Sequence, residues 1–160
     1  MYHVIIIEDD PMVASINKQY VELTSSFHVE ATFKNGILAL QYLQNCTVDL
    51  IILDYYTPQM NGDEFIDQLH AAGMTPAIIM VTSANDAETV RRLISRGVTD
   101  YLVKPFEYDR FKAALERFVK RQEELKHRRP LLTWDRRRST ASSSVPDVLL
   151  PERSADKGPK

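Results

Sequence analysis

The stretch Val48-Asp49-Leu50-Ile51-Ile52-Leu53-Asp54-Tyr55-Tyr56-Thr57-Pro58-Gln59-Met60-Asn61-Gly62 decides the fold. Between Val48 and Leu53 only Asp49 is polar, and β-branched side chains are frequent. The run therefore reads as a strand covered on both faces, as in a parallel sheet. An acid, Asp54, stands at its end. Pro58 and Gly62 are turn formers that leave this carboxylate on a loop at the C-terminal edge of the strand, where open α/β sheets bind ligands.

Working outward, the same grammar repeats. His3 to Ile7 is a short apolar run closing on Glu8-Asp9-Asp10, and Pro11 opens a helix whose apolar set is Val13, Ile16, Tyr20, Val21 and Leu23. Val29 to Phe33 alternates as a second strand. Asn35-Gly36 turns the chain into a helix with Ile37, Leu38, Leu40 and Leu43 on one face. After the central strand, Phe65, Ile66 and Leu69 mark a third helix stopped by Gly73. Ala77 to Val81 is a fourth strand, and Ala84-Asn85-Asp86 offers a cap for a helix bearing Val90, Leu93 and Ile94 and ended by Gly97. Tyr101 to Val103 is a fifth strand closing on Lys104-Pro105, and a helix runs from Tyr108 to about Leu125. Five strands alternating with five helices predict a doubly wound, flavodoxin-like α/β fold. Its strands are parallel, its crossovers right-handed, and its order is 2-1-3-4-5.

Composition narrows the class. A chain of 160 residues with 44% hydrophobic content can bury a sizeable core. No apolar run nears the roughly 20 residues that span a bilayer, and the N-terminus lacks the pattern of a secretory signal, so a cytoplasmic protein without membrane contact is expected. Cys46 is the only cysteine; its neighbours Leu40, Tyr42 and Leu43 suggest an inert, buried helical thiol. His3, His28, His70 and His127 have no metal-ligand spacing. The net charge of −2 conceals a basic end: Arg136-Arg137-Arg138 precede a Ser/Thr stretch and three prolines. Residues 125–160 read as a linker or disordered tail following a domain of residues 1–124.

With the strands in that order, Glu8, Asp9 and Asp54 converge in one crevice, joined by Thr82 and Lys104. At about 4 Å and an effective dielectric near 20, each like-charged pair repels by roughly 4 kcal/mol, so the group calls for protonation or a cation. Oxygen donors on loops suit Mg²⁺, which commonly shares its shell with a phosphoryl group. Taken singly, each residue has a plainer reading. Asp10 before Pro11 can be a helix cap, Lys104 a surface lysine, Thr82 a strand end and Tyr101 a half-buried aromatic. Their joint placement is what points to chemistry.

Four segments, Ile5-Ile6-Ile7-Glu8-Asp9-Asp10-Pro11, Leu53-Asp54 with Pro58 and Gly62, Met80-Val81-Thr82-Ser83 and Tyr101-Leu102-Val103-Lys104-Pro105-Phe106, resemble those of two-component response-regulator receiver domains. The resemblance covers residues 1 to about 124. It implies Asp54 as phosphoacceptor, Asp9 as a direct Mg²⁺ ligand, Glu8 as an acid acting through water and the Tyr56 carbonyl as a backbone ligand. It further implies Thr82 and Tyr101 as a switch pair, Lys104 as the phosphate-pairing lysine before a cis proline, and a sensor histidine kinase as donor. Asp10 is left as a possible outer contributor. Such a protein is a signalling phosphoacceptor rather than an enzyme. Within the family, Glu8-Asp9-Asp10-Pro11-Met12-Val13-Ala14 is similar to the transcriptional regulators that respond to citrate and dicarboxylates.

Two other functions compete. An aspartate-nucleophile phosphatase would need a second acid two residues after Asp54, where Tyr56 stands. A stand-alone receiver acting by protein contact differs from a transcriptional regulator only in its output. Phe111, Phe118 and Leu125 at seven-residue spacing resemble a connector to an output domain, and residues 126–160 are too polar and short to form a DNA-binding domain themselves. Switching would act through the surface of the fourth helix, fifth strand and fifth helix, taken to continue over Phe111, Leu115 and Phe118, by homodimerisation or partner docking.

Overall fold

A computed structural model describes residues 1–83 and 87–135, with side chains as far as His127. Its elements are β1 (Tyr2–Ile7), α1 (Pro11–Glu22), β2 (Phe27–Phe33), α2 (Gly36–Leu43), β3 (Leu50–Asp54), α3 (Gly62–Ala71), β4 (Ala77–Thr82), α4 (Ala87–Ser95), β5 (Asp100–Val103) and α5 (Tyr108–Asp135). The five strands form one parallel sheet in the order β2-β1-β3-β4-β5. All five residues of β3 are buried, as are Val4 to Ile7 of β1. Central parallel strands are covered by helices on both faces, which is why their sequences are continuously apolar rather than alternating. The edge strand β2 instead alternates, with Phe27 and Val29 buried and His28 and Glu30 exposed.

α3 buries Phe65, Ile66 and Leu69 as expected, whereas α1 and α2 bury faces that differ in part from the expected ones. In α1 the buried residues are Ala14, Asn17 and Val21, while Ile16 and Leu23 are exposed. In α2 they are Gly36, Ala39 and Leu43, while Ile37 and Leu38 point outward. The reason is steric: small residues let a helix approach its neighbours. A Cβ on Gly36 would lie 2.8 Å from Phe65 Cδ1. Cys46 is exposed in the loop after α2, which ends at Leu43, and is not a buried helical thiol. Asp10 proves to be a cap. It is the N-cap of α1, and its Oδ1 accepts from the Met12 and Val13 amides at 2.9 and 3.4 Å.

The chain divides after Phe118 into two units, Met1–Phe118 and Val119–Lys160. α5 continues to Asp135 rather than stopping near Leu125. Up to His127 its sequence is dense in Glu, Lys, Arg and Gln, straight-chain residues that lose little rotamer freedom in a helix. Within the first unit, Phe111, Ala114, Leu115 and Phe118 form the buried stripe of α5 at helical spacing. Phe118 meets Tyr2 and Phe27 at ring-centroid distances of 5.1 and 5.9 Å, and Phe111 meets Tyr20 and Phe106 at 5.5 and 5.7 Å. These side chains are core, so the expected docking surface does not include them. The expected cap at residues 84–86 and the basic, Ser/Pro-rich stretch from residue 136 lie outside the described residues. No helix among the described residues is long and apolar enough to cross a membrane.

Candidate functional site

The site is assembled by register. Ile7 of β1 pairs with Leu53 of β3, so the residues that follow each strand emerge side by side. Glu8, Asp9 and Asp54 each bring one carboxylate oxygen to within 4.8 Å of the others. Glu8 and Asp54 are buried and Asp9 is exposed. From β5, Lys104 enters with Nζ 3.1 Å from Glu8 Oε1 and 3.4 Å from Asp54 Oδ2. Its backbone amide donates to the Thr82 carbonyl at 2.8 Å, and the Lys104-Pro105 peptide is cis. Tyr56 joins through its backbone, donating its N–H to Asp54 Oδ1 at 3.3 Å.

Charge and burial pull in opposite directions here. Burial is the largest influence on Glu8 and pushes its carboxyl up. The Asp10 amide, donating to Oε2 at 3.1 Å, opposes this, while nearby Asp54 adds to it. For Lys104, burial acts to lower the ammonium, but the neighbouring Asp54 and Glu8 carboxylates prevail and hold it above its ordinary value. A raised Glu8 means that its share of stability is complete below its unfolded value of 4.5 and is lost as pH rises through the folded one. Glu8→Gln is therefore expected to make the protein more stable than wild type at pH 7 and to leave it equal near pH 4. Urea titrations in the presence of a chelator check this; a variant less stable than wild type at pH 7 but equal to it at pH 4 would contradict it.

Thr82 is fully buried at the end of β4 and pairs in register with Val103, whereas Tyr101 pairs with Met80. Thr82 and Tyr101 thus lie diagonally on one face of neighbouring strands, within the reach of an aromatic side chain. Tyr101 is half-buried against the core.

Two polar clusters were not foreseen. Asp100, buried at the start of β5, accepts from the Tyr101 amide at 2.8 Å, from Arg110 Nη2 at 3.3 Å and from Arg117 Nη2 at 2.7 Å, which ties β5 to α5. The seven-residue spacing of Arg110 and Arg117 was the available signal, since it puts both on one helix face. Tyr55, Asp63, Arg92 and Arg96 form the second cluster, between α3 and α4. Nothing local in the sequence marks these four as partners.

Which proteins share this arrangement is answered by comparison. The chain is 41% identical over 115 residues to the protein named "Probable C4-dicarboxylate response regulator DctR" of Priestia megaterium, an alignment that takes in 72% of this chain and 50% of that protein. It is 35% identical over 122 residues to the transcriptional regulatory protein MalR of Bacillus subtilis, covering 76% of this chain and 52% of MalR. The chain thus spans about half the length of these curated relatives. The receiver domain of Francisella response regulator 1452 superposes with a TM-score of 0.69 at 23% identity, covering 76% of this chain and 99% of that one, a likeness of fold. Residues 4–116 match the model of the response regulator receiver domain, a span that includes residues from all five strands and reaches α5. By that match the chain belongs to the response regulator receiver domain family.

Proposed function

We propose that this protein accepts a phosphoryl group on Asp54 from a phosphohistidine of a sensor histidine kinase, in a Mg²⁺-dependent reaction. The observation that carries the reading is the convergence of Glu8, Asp9 and Asp54 within 4.8 Å of one another, with Lys104 Nζ 3.4 Å from Asp54 Oδ2. The donor set fits a small hard cation, since it offers only carboxylate oxygens and an exposed member open to solvent. Asp9 and Asp54 would bind Mg²⁺ directly, together with the Tyr56 carbonyl. Glu8 would act through water, because both its oxygens are engaged, Oε1 by Lys104 and Oε2 by the Asp10 amide. The ion supplies charge neutralisation on the transferred phosphoryl oxygens. Lys104 would add its own positive charge beside Asp54 Oδ2, and Thr82 would offer its hydroxyl to a phosphoryl oxygen.

Phosphorylation then biases the Thr82 and Tyr101 pair and the surface of α4, β5 and α5, through which the protein self-associates or meets a partner. We infer a transcriptional output, supported by relatives named as response and transcriptional regulators. Contact with DNA would be made through an output domain, which the described residues do not include. The setting is the cytoplasm, and the protein is a signalling phosphoacceptor rather than a turnover enzyme.

Incubation with a small phosphodonor and Mg²⁺, followed by reductive trapping and mass spectrometry, tests the reading. The modified peptide should carry Asp54, and chelation should prevent labelling; a label elsewhere, or one indifferent to chelator, overturns it. In a metal titration of the unphosphorylated protein, Asp9→Ala is expected to weaken binding more than Glu8→Ala, by about tenfold or more. The reverse ranking would exchange the two roles.

A further inference from the structure

α4 is lightly seated on the domain. Leu93 is its one fully buried side chain among the described residues, and Ile94 is 51% exposed. A polar cluster holds it from the side. Arg92 Nη2 donates to Asp63 Oδ2 at 2.7 Å and to the Tyr55 hydroxyl at 3.3 Å, and Arg96 Nη1 donates to Asp63 Oδ1 at 3.1 Å. The Tyr55 hydroxyl donates to Asp63 Oδ2, and Arg96 also pairs with Asp67. Arg92 lies in α4 and Arg96 directly follows its last residue, with its N–H donating to the Arg92 carbonyl at 3.1 Å, while Asp63 and Asp67 stand four apart on α3, so the two arginines face the two aspartates.

Tyr55 directly follows Asp54, the proposed acceptor, and it cannot swing freely. Its N–H donates to the Val81 carbonyl at 2.8 Å, and its carbonyl accepts from the Gly62 amide at 2.8 Å. Its ring fills the space over α3's first residue: a Cβ on Gly62 would lie 2.7 Å from Tyr55 Cδ1 and 3.0 Å from Met80 Cε. Glycine is required there by this close approach. Burial and the hydrogen bond to Asp63 push the Tyr55 phenol up. For Asp63 burial acts upward, but the hydrogen bonds from Arg92 and Tyr55 outweigh it and hold the carboxyl down. Asp63 is therefore charged and doubly engaged at neutral pH.

We infer that Tyr55, Asp63, Arg92 and Arg96 form a latch that holds α4 against α3 and so opposes the rearrangement that phosphorylation of Asp54 drives. The inference rests on the phosphoacceptor reading and adds a second route from the acceptor to α4, separate from Thr82 and Tyr101. A helix with one fully buried side chain and partly exposed ion pairs opens locally at less cost than the buried strands beneath it. Weakening the latch raises the population competent for the phosphorylated form, and the apparent affinity for a phosphate mimic rises by the same factor.

Hydrogen exchange and beryllofluoride titration on the full chain test this with Tyr55→Phe, which removes one hydroxyl, and Asp63→Asn, which removes the shared charge. Amides of Val90 to Ser95 are expected to exchange about threefold to tenfold faster in both variants, with β1 and β3 unchanged. Half-saturation by beryllofluoride should fall by a similar factor. Unchanged α4 exchange overturns the latch. So does an equal rise in β1 and β3, which would mean a general loss of stability, and so does faster α4 exchange without tighter mimic binding. If the mimic fails to bind even the wild type while α4 exchange responds as expected, the acceptor assignment fails and the hold on α4 stands.

Discussion

Asp54→Asn is expected to abolish acyl-phosphate formation, and Lys104→Ala to slow it by about 10²-fold to 10³-fold. The carboxylate of Asp54 sits at the end of β3 with Oδ1 bound by the Tyr56 amide and Oδ2 facing Lys104 at 3.4 Å. Asparagine preserves this shape but lacks the nucleophilic oxygen anion, so no small residual rate should survive. Lys104 acts differently. Its ammonium is already positioned beside Asp54, with its own amide bonded to the Thr82 carbonyl, so in the proposed reaction it would stabilise charge on the transferred group without reorganising. Its removal leaves the acceptor in place and lowers the rate. It also leaves Glu8 and Asp54 without a counter-charge, so the Lys104→Ala protein should gain more stability from added Mg²⁺ than wild type does. Single-turnover labelling with a small phosphodonor gives both rates; labelling of Asp54→Asn at the wild-type level would remove the acceptor from β3.

Phe118→Ala is expected to cost about 3–5 kcal/mol of folding stability, a large part of the roughly 5–15 kcal/mol available to a small domain. The ring is fully buried and lies between Tyr2 at the start of β1 and Phe27 at the start of β2, so its loss opens a cavity lined by rigid aromatics that cannot collapse into it. Ile94→Ala is the contrasting variant. That side chain is 51% exposed on α4, and its truncation should change stability by no more than about 0.5 kcal/mol. Urea unfolding of the two distinguishes a core residue from a surface one. A Phe118→Ala cost below about 1 kcal/mol would return Phe118 to the docking surface expected over Phe111, Leu115 and Phe118, and to the connector suggested by its spacing with Phe111 and Leu125.

That spacing shows where sequence reasoning stops. Phe111, Phe118 and Leu125 repeat every seven residues, and a heptad stripe serves an intramolecular core as well as a partner. Only the position of α5 against β1 and β2 shows that Phe118 is used inside. The same ambiguity affected α1 and α2. Each carries large apolar residues on more than one side, and the face that packs is the one with Ala14 and Asn17, or Gly36 and Ala39, where the backbone approaches most closely. Cys46 followed its apolar neighbours in sequence but not in space, because α2 ends three residues before it.

The strand order and the acidic crevice were determined by the sequence itself. Continuous apolar runs such as Ile5-Ile6-Ile7 and Leu50 to Leu53 can be satisfied only in a sheet covered on both faces. Crossovers of helical length make those strands parallel, and the turn residues after each leave Glu8, Asp9, Asp54 and Lys104 at one edge. Tertiary structure alone decided the partnerships of Tyr55, Asp63, Arg92 and Arg96, and of Asp100 with Arg110 and Arg117. Hydrophobic periodicity is a property of consecutive residues and survives in one dimension. An ion pair depends on the separation of two side chains brought together by the packing of different elements, and a sequence separation of 29 between Asp63 and Arg92 carries no trace of it.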